Sequence, residues 1–183
     1  MLGRFVKRRR GIKHLKKWNY WLLPICWMGI IFYSSSQPYQ DQNIKPLLSN
    51  FVDLDFLIPV LDGIVFTYHH SEISIKSLGV YGFIEFFIRK GAHMVVFFVL
   101  LLCFYTALKK TSDFQVIKRV IISLFLTVAY AGIDELHQGF TQNRTPYAGD
   151  VVMDTSGALL AISLIYLVCL VKNKKAPEKD VKF

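Results

Sequence analysis

The stretch VIISLFLTVAYAGIDELHQGF, residues 120–140, decides how this chain reads. Its uncharged part, Val120 to Ile133, is 14 residues long, whereas a helix needs about 20 to cross the roughly 30 Å of hydrocarbon in a bilayer. A crossing helix here must therefore carry Asp134, Glu135, His137 and Gln138 towards or into the membrane. Ionisable groups at that depth are costly and are kept for pairing or function.

Three further apolar stretches flank it: Trp18 to Tyr33, Gly91 to Leu108 and Val151 to Val171. The whole chain of 183 residues is 53% hydrophobic and 15% aromatic, with a mean hydropathy of +0.36. Disorder needs low hydrophobicity, and a nucleic-acid-binding domain has no use for long uncharged aromatic runs. Cys26, Cys103 and Cys169 are odd in number and far apart, which excludes a disulfide framework and reads as buried thiols.

The expected fold is all-α: a polytopic membrane protein with four transmembrane helices at 18–36, 88–108, 119–138 and 150–171. A basic segment (1–17) precedes them, a tail (172–183) follows, and residues 37–87 form a long outer loop between helices 1 and 2. Within that loop, Asp53, Asp55, Asp62, Pro59 and Gly63 interrupt the apolar runs and argue against a fifth span. The region reads as a folded or interfacial loop with one amphipathic segment on the membrane.

Basic residues set the orientation. Of the 22, eight precede the first stretch, four (Lys109, Lys110, Lys118, Arg119) lie between the second and third, and five follow the fourth. Only Lys45, Lys76, Arg89, Lys90 and Arg144 lie on the other side, so both termini are expected in the cytoplasm. The +9 net charge thus conceals a basic inner surface and an acidic, mixed-charge outer one. A cleavable signal peptide is the rival reading of the first stretch. Trp18, Tyr20 and Trp21 beside Lys16 and Lys17 fit an interfacial anchor instead, and no A-x-A-like site follows. The Lys7 to Arg10 run beside a membrane span reads as a topology and anionic-lipid signal; nucleic acid is not an expected partner.

Helical rise converts sequence distance into depth. At roughly 1.5 Å per residue from the nearest cytoplasmic basic residue, Ser34, His93, Asp134 and Asp154 sit roughly 26, 24, 22 and 27 Å up. All four reach the outer edge of the hydrocarbon, while the cytoplasmic halves of the stretches look almost purely apolar. Helical spacing also puts Arg89 or Lys90 on a face with His93, Asp134 with His137 and Gln138, and Asp150 with Asp154. Below Asp154 that face continues through Gly157, Ala158 and Ala161, small residues that admit close helix packing. Gly132 and Ala131 beside Asp134, and Gly91 and Ala92 beside His93, suggest the same role.

Five acids at one rim (Glu85, Asp134, Glu135, Asp150, Asp154) would repel one another unless paired, and Arg89, Lys90, His93, His137 and Arg144 are the available compensation. The expectation is a partly buried cluster of ion pairs and hydrogen bonds, open to the outside. Its spacing departs from the H-E-x-x-H metal motif, so no metal is assigned, and no cofactor is assigned. A catalytic residue cannot be chosen from these groups; the Ser34 to Ser36 run is a weak nucleophile candidate. Asn143-Arg144-Thr145 fits a glycosylation acceptor that only a eukaryotic secretory host would use.

Four motifs occur in order: Arg89-Lys90-Gly91-Ala92-His93, then Asp134-Glu135-Leu136-His137-Gln138-Gly139-Phe140, then Arg144, then Asp150-Val151-Val152-Met153-Asp154 with Gly157-Ala158 following. Together they resemble the VanZ-like family of bacterial membrane proteins. The exit from the first stretch, Phe32-Tyr33-Ser34-Ser35-Ser36-Gln37, is similar to that family's serine and glutamine motif. The resemblance covers about residues 18 to 171. It implies a functional set at Lys90, His93, Asp134, Glu135, Gln138, Arg144, Asp150 and Asp154, with Ser35, Gln37, Arg89 and His137 around it. It also implies location in the bacterial cytoplasmic membrane and an association with resistance to the glycopeptide teicoplanin. The expected partners are the bilayer and a lipid-linked cell-wall intermediate or glycopeptide. The alternatives are an intramembrane enzyme acting on a lipid head group and a non-catalytic accessory subunit.

Overall fold

In a bilayer, backbone N–H and C=O groups have only each other to pair with, so long apolar runs fold as helices. The computed structural model describes residues 17–38, 42–141 and 145–175. Among these are six α-helices: α1 (Leu22–Ser35), α2 (Lys45–Phe51), α3 (Ile58–Leu61), α4 (Ile75–Thr111), α5 (Val116–Gln138) and α6 (Ala148–Lys175). Two short strands, β1 (Phe66–Tyr68) and β2 (Ser71–Ile73), pair antiparallel, with Phe66 opposite Ile73 and Tyr68 opposite Ser71.

Three of the helices, α4, α5 and α6, are long and apolar enough to cross a membrane. Their large side chains are widely exposed, including Val95, Ile121, Phe125, Ile133, Leu160 and Leu167. In water such a surface would drive association; in lipid it is the solvated face. Four such helices were expected. The first expected span holds an α-helix of 14 residues behind a 3-10 turn at Asn19–Trp21, too short alone for about 30 Å of hydrocarbon.

The described residues are mostly helical, as expected, and the hairpin is a small addition. Its two-residue turn, His69-His70, has φ of 47° and 63°, the left-handed pair that a tight I′-type turn demands and that Asn-Gly usually supplies. The helix that holds the second expected span begins before it, at Ile75. Ser74 accepts from the Ser77 N–H and caps α4 from residue 75, and the left-handed Gly79 (φ 69°) breaks this first turn from the continuous helix beyond it. Ile73, Ile75 and Phe83 form a small core with Phe66, Tyr68 and Phe86 that seats the hairpin on α4.

α4 is central and touches α1, α5 and α6. It runs antiparallel to α1: Trp21 meets Phe104 with ring centroids 6.4 Å apart, and the Trp27 indole donates to the Val96 carbonyl at 2.9 Å. Phe97, Leu100, Phe104, Ile31 and Ala131 form one core cluster, and Leu101, Tyr105, Ala158, Ala161 and Ile165 another. At the α4–α6 crossing, a Cβ on Gly157 would lie 2.0 Å from the Met94 carbonyl oxygen, so only glycine allows this approach. Gly91 and Gly132 do not act that way, because a Cβ on either would meet nothing within 4 Å. The reading of the three cysteines as buried fails. Cys26 is exposed, with Cys103 and Cys169 half-buried. The N-terminal half of α5 buries Ser123 and Thr127, whose hydroxyls donate to the carbonyls of Arg119 and Ser123.

Candidate functional site

The C-terminal ends of α1 and α5, the middle of α4 and the N-terminal end of α6 bring most of the expected polar residues together. Asp150 lies in the first turn of α6, where the helix dipole favours an acid, and it pairs with Lys90 of α4. One helical turn deeper, Asp154 is 2% exposed and its Oδ1 lies 3.5 Å from His93 Nδ1, an ion-pair distance longer than a hydrogen bond. The close approach at Gly157 and Met94 lies directly beneath and sets this spacing.

α5 contributes a second group. Asp134, also 2% exposed, accepts at Oδ2 from Ser35 Oγ of α1 at 2.9 Å and from Gln138 Nε2, one turn along its own helix, at 2.8 Å. Glu135 accepts from the Tyr147 N–H at 2.7 Å, which ties the end of α5 to the segment leading into α6. One oxygen each of Asp134, Glu135 and Asp154 is buried without a hydrogen bond from the described residues. Such groups are rare in folded proteins and call for an explanation.

Glu85 anchors the outer loop. It is 3% exposed, pairs with Arg89 at 3.0 Å and Lys45 at 3.8 Å, and accepts from the Ile44 N–H. Arg89 also donates to the Gln42 carbonyl at 3.1 Å.

Two expected residues lie apart from the cluster. His137 stacks on Phe32 of α1 with centroids 4.1 Å apart, because a step of three residues falls about 60° short of a full turn while the step of four to Gln138 passes it by about 40°. Gln37 bonds back to the Tyr33 carbonyl at 3.4 Å. Arg144, and Asn143 with it, lies outside the described residues. Among the described residues, no group of three or more His, Cys, Asp or Glu side chains is arranged to hold a metal ion.

The hairpin supplies residues that the sequence reading missed. The Tyr68 phenol donates to the Asp150 oxygen that Lys90 also contacts, and the Lys90 ammonium lies 4.6 Å from the centre of the Tyr68 ring. Burial, and then this hydrogen bond, raise the Tyr68 phenol above its ordinary 10.0, so it stays a donor at neutral pH. His69 stacks on Tyr147 at 4.6 Å, and its Nε2 is 3.2 Å from Thr145 Oγ1. The β-prone residues of Phe66-Thr67-Tyr68 and Ser71-Glu72-Ile73 were the available signal, and His-His concealed the turn.

These groups surround a polar cavity of about 230 Å³ whose walls include Tyr68, Lys90, His93, Glu135, Gln138 and Asp150. Its lining mixes cationic, hydroxyl and imidazole groups with carboxylates, which suits a ligand carrying both anionic and hydroxyl groups.

No curated protein and no solved structure matches the chain. A family model described as VanZ/LLP1 matches residues 20–170, a range that contains every expected site residue. On that match the chain belongs to the VanZ/LLP1 family.

Proposed function

We propose that this protein binds the polar head of a cell-envelope molecule, such as a lipid-linked cell-wall intermediate, in the rim cavity, and that it thereby alters sensitivity to glycopeptides. The observation that carries this reading is the 230 Å³ cavity lined by Lys90, His93, Gln138 and Asp150. Packing alone does not need a polar opening of this kind. Asp134 and Glu135, each with a buried oxygen to which no described residue donates, support the same reading, since a ligand's hydroxyl groups would complete them.

The setting is the bacterial cytoplasmic membrane, with four spans and both termini inside. In support, the helical stretch 17–35, counted through its 3-10 turn, reaches roughly 28 Å, and it packs along α4 at Trp21 and Trp27. With that orientation the cavity opens on the extracytoplasmic side. Deleting the gene in its host should change teicoplanin sensitivity or the pools of lipid-linked precursors; no change in either overturns the proposal.

A second reading is favoured by the His93–Asp154 pair. A buried carboxylate beside an imidazole that lines the cavity is an arrangement suited to acid/base chemistry on a head group. Envelope lipids that are chemically unchanged in a His93→Ala strain would count against it.

A further inference from the structure

The two ends of the helix bundle hold their cations differently. At the rim, Lys45, Arg89 and Lys90 each pair with a carboxylate. At the opposite end, Lys17 precedes α1, Lys109 and Lys110 lie in the last turn of α4, Lys118 and Arg119 in the first of α5, and Lys172 near the end of α6. Among the described residues at this end Asp113 is the only acid, and no ion pair involves any of these cations. Contacts join three of the helix ends. The Trp21 indole donates to Thr111 Oγ1 at 3.3 Å, and the Lys110 and Lys118 ammonium groups lie 5.6 Å and 4.3 Å from the ring centres of Tyr20 and Phe114. A ring attracts a cation through its quadrupole and leaves the charge uncompensated.

Arg119 stands apart from the lysines. It is partly buried, and its Nε is buried without a hydrogen-bond partner. One and two helical turns on, Ser123 and Thr127 are buried on the packed side of α5, the side that Arg119 shares. A buried guanidinium nitrogen without an acceptor is costly, and the planar fork of arginine matches the oxygens of a phosphate. The depth says what supplies the phosphate. Beside these cations, Leu22, Leu23, Ile117 and Ile121 are exposed on the surface that lipid covers. Trp18, Tyr20 and Trp21 lie at the same level, where aromatic rings meet lipid head groups. Charge and position together fit a basic site between membrane helices. We propose that the meeting point of α1, α4 and α5 at this end binds the head group of an anionic phospholipid, with its phosphate at Arg119 and with Lys109, Lys110 and Lys118 around it. The site lies at the far end of the helices from the rim cavity and does not depend on what that cavity holds.

Native mass spectrometry of the full chain released from detergent tests this with phosphatidylglycerol, phosphatidylcholine and inorganic phosphate. Phosphatidylglycerol should bind about tenfold more tightly than phosphatidylcholine, which carries a phosphate but no net charge. Arg119→Gln should weaken it about tenfold or more, and Arg119→Lys should recover part of the loss. Where the Arg119 variants lower yield, the triple variant Lys109→Gln, Lys110→Gln, Lys118→Gln changes only exposed positions and should give a loss of similar size. Lys76→Gln removes an exposed cation from the rim end and should change nothing. Equal binding of the two lipids overturns the proposal, as does a preference that survives both Arg119→Gln and the triple variant. A loss in Lys76→Gln equal to that in Arg119→Gln would trace the preference to net charge and overturn the site. Inorganic phosphate bound as tightly as phosphatidylglycerol overturns the lipid.

Discussion

Lys90 of α4 and Asp150 of α6 form an ion pair across 60 residues of sequence, and Tyr68 of the hairpin donates to the same carboxylate oxygen. Three elements that are separate in the chain are thus joined at one atom. The pair is 16% and 24% exposed, so water screens it only in part. A double-mutant cycle of Lys90→Ala and Asp150→Ala, read by unfolding in detergent, should show non-additivity of about 0.5–3 kcal/mol. Additive losses would mean that the two side chains are not coupled.

Tyr68→Phe keeps the ring contacts with Phe86 and Tyr147 and removes only the donor to Asp150. The cost should be about 1.5–3 kcal/mol, the range for hydrogen bonds to charged groups. The pH dependence has a definite sign. Because the folded-state pKa is raised above 10.0, the stabilisation is complete below pH 10.0 and is lost as pH rises towards the folded value. Between pH 9 and 11 the wild type should therefore lose stability faster than Tyr68→Phe; equal slopes would show that the phenol is not held in this way.

Two glycines of similar sequence context should behave in opposite ways. Gly157→Ala forces α4 and α6 apart at the Met94 carbonyl and should destabilise by about 1–3 kcal/mol, as overpacking does. Gly132→Ala meets nothing and should be neutral or stabilise by about 0.5–1 kcal/mol through helix propensity. Thermal unfolding of the two purified variants decides this, and a tolerant Gly157 would contradict the close crossing.

Asp154→Asn preserves shape at a buried position and removes the charge facing His93. Binding predicts normal abundance in the membrane fraction with the glycopeptide phenotype lost. If abundance falls in step with the phenotype, the pair serves packing and the accessory-subunit reading takes over.

Ser35→Ala removes one of the two donors to the buried Asp134 oxygen. The expected loss is about 1.5–3 kcal/mol, as for other bonds to a charged group, measured by denaturant unfolding. A change below about 0.5 kcal/mol would indicate that Gln138 alone satisfies Asp134.

Much of the site was legible before any coordinates, because depth in a helix is proportional to sequence distance. Counting from the basic boundaries put His93, Asp134 and Asp154 at one level, and helical spacing correctly paired Asp134 with Gln138. The same spacing misjudged His137, which turns to Phe32 instead. Periodicity tells which residues share a face but not how broad that face is once a neighbouring helix arrives. Tyr68, His69 and Tyr147 were illegible as site residues. Tyr68 and His69 reach the cluster through a hairpin whose His-His turn carries no usual signal, and Tyr147 from the segment that leads into α6.

What the sequence by itself determined is what depends on local hydropathy and charge. It established long apolar helices, an asymmetric distribution of lysine and arginine, and polar groups gathered near one end. Burial in lipid rewards those properties residue by residue, whatever the neighbours are. Pairing was decided only by the tertiary structure: Lys90 with Asp150 and Tyr68, His93 with Asp154, and Ser35 with Asp134. These depend on helix rotation and separation, set by contacts such as Gly157 on Met94, which no single segment encodes.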